Sequence, residues 1–187
     1  LEHEEFTDLL WGIVHLADTE AETLAHLERL LHDEHYWAEA SLKGLRKVLL
    51  HHTYAERLAG ICQQVGLPFP GQRQPEIGAV ARIKTAEEAQ RLASTLARQT
   101  YRHFSVTVAA GKTLTARKLE AFRASLPDIH VRLLPRDAEV WDTLAKGTNE
   151  DFLWLVNPDD YYGENFLQDA ALASTYSDAE IIGKRTR

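Results

Sequence analysis

Methionine is absent from all 187 residues, position 1 included, and cysteine occurs once, as Cys62. A lone thiol cannot close an internal disulfide. With no basic, apolar and small-residue signal pattern at the start, the chain reads as an internal piece of a longer cytoplasmic protein. No window approaches the roughly 18 consecutive apolar residues of a membrane span, so no transmembrane segment is expected. Long Lys/Arg stripes are missing too: 21 basic residues face 28 acidic ones, for a net charge of −7. That balance excludes a general nucleic-acid binder, which needs a basic face to neutralise phosphates. There is no His-Glu-x-x-His and no cysteine cluster, so His32, His35, His51 and His52 read as helix-face residues rather than zinc ligands. Cys62 has no neighbouring base signal and is not expected to act as a nucleophile.

What is present is a globular composition, 44% hydrophobic and 26% charged, with a break near the first third. The segment 65–75 carries Pro68, Pro70, Pro75, Gly66 and Gly71 between two periodic regions, as linkers do. Ahead of it, Leu24, Leu27, Leu30 and Leu31, then Leu42, Leu45, Val48 and Leu49, then Leu58 and Ile61 recur at three-and-four spacing, which predicts three helices between Thr19 and Gly66. Thr19 with Glu22 and Thr53 with Glu56 resemble capping boxes, and residues 12–17 suit a short strand. Trp11, Trp37, Trp141 and Trp154 are expected as core or interface anchors with hydrogen-bonded indole nitrogens.

Beyond the linker the rhythm alternates. Strands are expected at 77–83, 104–110, 129–134, 152–156 and 180–182, with helices at 85–101, 115–126, 138–144 and 165–176. Alternation of this kind builds βαβ units and an open, mainly parallel α/β sheet of Rossmann-like type, whose ligand crevice lies at the carboxyl ends of the strands. The run Phe152-Leu-Trp-Leu-Val156 empties there into Asn157-Pro-Asp-Asp160. Clustered oxygens at a strand end suit a ligand or a divalent cation, although Pro, Asp and Gly also suit a plain strand-to-helix turn.

Two motifs carry a family resemblance. Gln99-Thr100-Tyr101 after the first helix of this half, together with Asn157-Pro-Asp-Asp160, resembles the nucleotide-binding half of a family 2, GT-A type glycosyltransferase. The segment 159–169, with Tyr176-Ser-Asp-Ala-Glu-Ile-Ile-Gly-Lys184, is similar to the subgroup fused behind CgeB-like transferase domains. Leu30-Leu31-His-Asp, Gly44-Leu-Arg-Lys-Val-Leu and His52-Thr-Tyr-Ala-Glu-Arg57 resemble the closing helices of those domains. The expected organisation is therefore a helical end of one transferase domain at 1–66, a linker at 67–75 and a GT-A-like half-domain at 76–187.

The resemblance implies transfer of a sugar from a nucleotide-sugar donor to a glycan acceptor. Mg²⁺ or Mn²⁺ at Asp159 and Asp160 would stabilise the departing diphosphate. It also implies donor contacts from Asn157, Asp159, Asp160, Gly111, Lys112 and Arg82, with a catalytic base beyond Arg187. Departures are visible. Asn157 stands where the motif has its first acid. Val108-Ala109-Ala110-Gly111-Lys112-Thr113 replaces an Asp-Asp-Gly-Ser segment, and Arg82-Ile-Lys84 replaces a Thr-Tyr-Asn type segment. These departures favour, as an alternative, a non-catalytic module that keeps the fold, with self-association as one way to cover its open edges. Gly111-Lys112-Thr113 also matches the last three residues of a P-loop, without the upstream glycine.

Overall fold

The computed structural model describes residues 13–69, 73–135 and 149–183. They fall into two compact units, divided between Gln72 and Arg73.

The first unit is helical: α1 (Glu20–His32), α2 (Glu34–His51) and α3 (Tyr54–Gln64). Each start has a side-chain cap. The Thr19 hydroxyl accepts from the Glu22 amide while the Glu22 carboxylate accepts from the Thr19 and Asp18 amides, a full capping box. Those backbone donors hold the Glu22 carboxyl below its usual range. Asp33 ends α1 and caps α2 through the Tyr36 amide, and Thr53 caps α3 through the Glu56 amide. Gly66, at φ 71°, closes α3 with bonds from Leu67 N to Cys62 O and from Gly66 N to Gln63 O, the left-handed ending that glycine allows.

No residue of these helices is fully buried. Leu31 is 76% and Trp37 56% exposed, so Trp37 is not a core anchor of this unit. The expected strand at 12–17 does not form over its described part, where residues 13–17 lie in turn and irregular backbone. His15 instead stacks on His26 at 4.8 Å and meets the Tyr36 hydroxyl, and among the described residues no strand pairs with the segment.

The second unit holds β1 (Ile77–Ile83), α4 (Ala86–Ala97), β2 (Phe104–Ala110), α5 (Ala116–Ala124), β3 (His130–Leu133), β4 (Phe152–Val156) and α6 (Phe166–Tyr176). The four strands form one all-parallel sheet in the order β3-β2-β1-β4. One face is the core. Ile77, Ala79, Ala81 and Ile83 of β1 register with Phe104, Val106, Val108 and Ala110 of β2, and Leu92, Leu96, Phe122 and Leu167 join them from the three helices. The other face carries Val80, Arg82, Thr107, Leu153 and Leu155, with both leucines exposed. Segment 180–182 is irregular and not the expected strand, and the helix expected at 138–144 lies outside the described residues. No helix among the described residues is long and apolar enough to cross a membrane.

Tyr101 ties the sheet to its own beginning. Its side chain is buried and its hydroxyl donates to the Pro75 carbonyl. Burial, then the Asp151 charge, pushes its pKa from 10.0 to about 12. A tyrosine whose folded pKa lies above its unfolded one binds its proton more tightly in the fold. The associated stability is complete below pH 10.0 and lost as pH rises through about 12. Melting temperatures followed through that window should therefore fall more steeply for the wild type than for Tyr101→Phe. Parallel curves would show that this hydroxyl is not the titrating group.

Candidate functional site

β1, β2 and β4 run parallel and side by side, so their carboxyl ends share one edge. That edge receives Lys84, the turn 111–113 and the turn 157–160. Gly111 is demanded by close approach: its amide donates to Ile83 O at 2.7 Å, and a Cβ there would lie 3.1 Å from the Lys84 Cα. The Thr113 hydroxyl donates to Lys84 O at 2.5 Å, and the Glu88 carboxylate accepts from Lys84 N at 2.5 Å. The exit of β1 is thus fixed from three sides. Lys84 and Lys112 are exposed, whereas Ala109 and Ala110 are buried. Arg82, also exposed, sits one residue before the end of β1 on the face opposite the core.

The turn after β4 is closed by its own amide. Asn157 Oδ1 accepts from Asp159 N at 3.3 Å, Asn157 O accepts from Asp160 N at 3.1 Å, and the Tyr162 hydroxyl accepts from Asn157 N at 3.2 Å. Asn157 is here a turn-former first. Arg91, projecting from α4, donates through Nη2 to Asp159 Oδ1 at 2.5 Å and through Nε to Pro158 O at 3.4 Å. Arg91 is also near Glu87, whose carboxyl is held below its usual range by its own backbone amide first, then by Thr85, Lys118 and Arg91.

Behind the turn, the segment 163–167 is clamped by residues 99 and 100. Gln99 is fully buried, at 0% exposure. Its Nε2 donates to Thr95 O and Gly163 O, at 3.2 and 3.0 Å, and its Oε1 accepts from Leu167 N at 3.1 Å. The Thr100 amide donates to Glu164 O at 2.9 Å, and its hydroxyl meets Asn165 Oδ1 at 3.0 Å. Asn165 provides no side-chain cap for α6, so Gln99 Oε1 satisfies one of the first amides of that helix. Trp154, Tyr162 and Phe166 pack ring to ring, with centroids 5.0 to 5.3 Å apart. The buried indole nitrogen of Trp154 has no hydrogen-bond partner among the described residues, contrary to the expectation for that side chain. Trp11 and Trp141 lie outside the described residues.

At the opposite end of β4, Asp151 accepts from Arg73 Nη2 at 2.9 Å and from Glu76 N at 2.8 Å, while its own amide donates to Glu76 O. Glu150 accepts from the Ser105 hydroxyl at 2.9 Å. Burial raises the Glu150 carboxyl, but the Ser105 bond, its own amide and Arg132 outweigh that and leave it below its usual range.

Of the residues expected at the site, Gly111, Lys112, Asn157, Asp159 and Asp160 lie on the shared edge, and Arg82 lies just behind it. A Mg²⁺ or Mn²⁺ ion would ask for several hard oxygens. Two carboxylates are present, but Asp159 already carries a guanidinium and the Asn157 side-chain oxygen is used by the turn. Among the described residues no three His, Cys, Asp or Glu side chains converge. The set as it stands does not fit the cation.

No protein-family model matches the chain, and no curated protein matches its sequence. Among solved structures it is similar to TarS of S. aureus, with a TM-score of 0.41 and 23% identity over 51% of this chain and 19% of that one. It is also similar to the mannosyltransferase PcManGT of Pyrobaculum calidifontis, solved with GDP-Man and Mn²⁺, with a TM-score of 0.47 and 13% identity over 74% of this chain and 46% of that one. The chain thus spans less than half the length of either.

Proposed function

We propose that residues 76–187 form a nucleotide-sugar-binding region of the GT-A glycosyltransferase type, serving transfer of a sugar to a glycan acceptor, and that residues 1–66 belong to the end of a CgeB-like transferase domain, with α1, α2 and α3 as its closing helices. The observation that carries this reading is the convergence of Lys84, Gly111, Lys112 and the 157–160 turn at the carboxyl ends of three adjacent parallel strands, where an open α/β sheet takes its ligand. Sugar transfer leaves negative charge on a diphosphate, and Lys84 and Lys112 are exposed cations that follow the β1 and β2 exits. The Asn157 side-chain nitrogen can donate to a ribose hydroxyl while its oxygen keeps the turn. No step is assigned to a metal ion.

Calorimetry against a panel of UDP- and GDP-sugars tests this reading. At least one should bind, and Lys112→Ala should weaken it about tenfold, equivalent to about 1.4 kcal/mol. No detectable binding across the panel would withdraw the reading. Preference for ATP would instead point to a different phosphate-binding α/β domain.

One observation favours a second reading, a docking module that keeps the fold without catalysis. The helical unit leaves Leu24, Leu27, Leu31, Leu58 and Ile61 exposed, and an apolar surface of that kind is a partner-binding feature.

A further inference from the structure

The pairing of Arg91 with Asp159 concerns what kind of positive charge this strand end uses. A carboxylate that ligates a divalent cation gives its lone pairs to the metal. Here the expected metal-binding acid gives one oxygen to Arg91 Nη2 at 2.5 Å, and the same guanidinium reaches Pro158 O through Nε. Two contacts from one planar group to consecutive residues hold the turn in register, which a lysine could not reproduce. The guanidinium thus already sets a positive charge on this carboxylate. A cation on Asp159 would have to sit beside it against like-charge repulsion. Arg91 retains N–H donors beyond these two, and its side chain is 51% exposed.

We propose that Arg91 takes the place of a divalent cation at this site: it occupies Asp159 and turns its remaining donors to the diphosphate of the ligand, which then binds without metal. Exclusion of the metal stands on the Arg91 contacts alone, while the diphosphate contact rests on the nucleotide-sugar reading.

The first arm of the test uses Mn²⁺ alone, with free ion followed by electron paramagnetic resonance on the full chain. The wild type should bind no Mn²⁺ below millimolar concentration. Arg91→Ala, checked for folding by circular dichroism, should bind it at least about tenfold more tightly, and adding Asp159→Asn should remove the gain. Micromolar binding by the wild type that Asp159→Asn abolishes would overturn the proposal, as would equal behaviour of wild type and Arg91→Ala. In the second arm UDP and GDP are titrated in EDTA and in Mn²⁺. Affinity should be the same within about twofold and fall at least about tenfold in Arg91→Ala, with only partial recovery in Arg91→Lys. Binding that requires Mn²⁺ would overturn the proposal. Absence of UDP and GDP binding under both conditions would contradict the nucleotide reading and the diphosphate contact with it, and the Mn²⁺ arm would still decide whether Arg91 excludes the metal.

Discussion

Replacing Gln99 with leucine is expected to cost about 3 kcal/mol and to lower the melting temperature by roughly 10 °C. Leucine fills much of the same volume, so the loss comes from polarity rather than from a void. The buried Leu167 amide, at the start of α6, loses the Gln99 acceptor and is orphaned, while the Gly163 carbonyl loses one donor and keeps the Phe166 amide. Orphaned buried groups cost about 1–3 kcal/mol each. The damage should be local in hydrogen exchange: amides of 157–167 exchange faster while those of β1 and β2 keep most of their protection. Thr100→Val, which removes an exposed hydroxyl, should cost less than about 1 kcal/mol. A melting point for Gln99→Leu within about 2 °C of the wild type would mean that the clamp does not hold the turn.

Trp154→Ala should be at least as damaging, at about 4 kcal/mol. The indole is only 7% exposed and supports both Tyr162 and Phe166. Tyr162 in turn receives the Asn157 amide, so the loss reaches the strand-end turn. Trp154→Phe should behave differently. The indole N–H is buried without a partner among the described residues, and removing an orphaned donor offsets part of the lost packing, leaving a cost below about 1.5 kcal/mol. Denaturant titration of the two variants separates the contributions. A phenylalanine variant as unstable as the alanine variant would require the nitrogen to have a partner.

Local pattern determines much of the sheet unit. β1, β2 and β4 occupy the residues that their apolar runs predict, 77–83, 104–110 and 152–156. All four helices that begin after a threonine, at Thr19, Thr53, Thr85 and Thr115, are capped by that hydroxyl. The errors have physical causes. The helix expected to run to Tyr101 stops at Ala97 because Gln99 and Thr100 turn inward to partners 64 to 68 residues away, which no local periodicity records. The short apolar segments at 13–17 and 180–182 have strand composition but no paired neighbour among the described residues, and a strand needs a ladder to satisfy its amides.

The site is legible to the same degree. Gly111 and the 157–160 turn stand out as punctuation at strand ends. Arg91 does not. It is one charged residue on an exposed helix face, and its significance arises only when the fold brings Asp159, 68 residues later, within reach. Asp151 and Glu150 precede β4 in the same unremarked way, and their roles depend on the β1 and β2 registers.

The most direct measurement is an amide-resolved NMR titration with the nucleotide sugar that binds best in calorimetry. The account predicts shifts at Lys84, Gly111, Lys112, Thr113, Asn157, Asp159 and Asp160, with residues 13–69 unchanged. Shifts confined to the groove along β4, at Leu153, Leu155 and Ile181, or to the helical unit would contradict it.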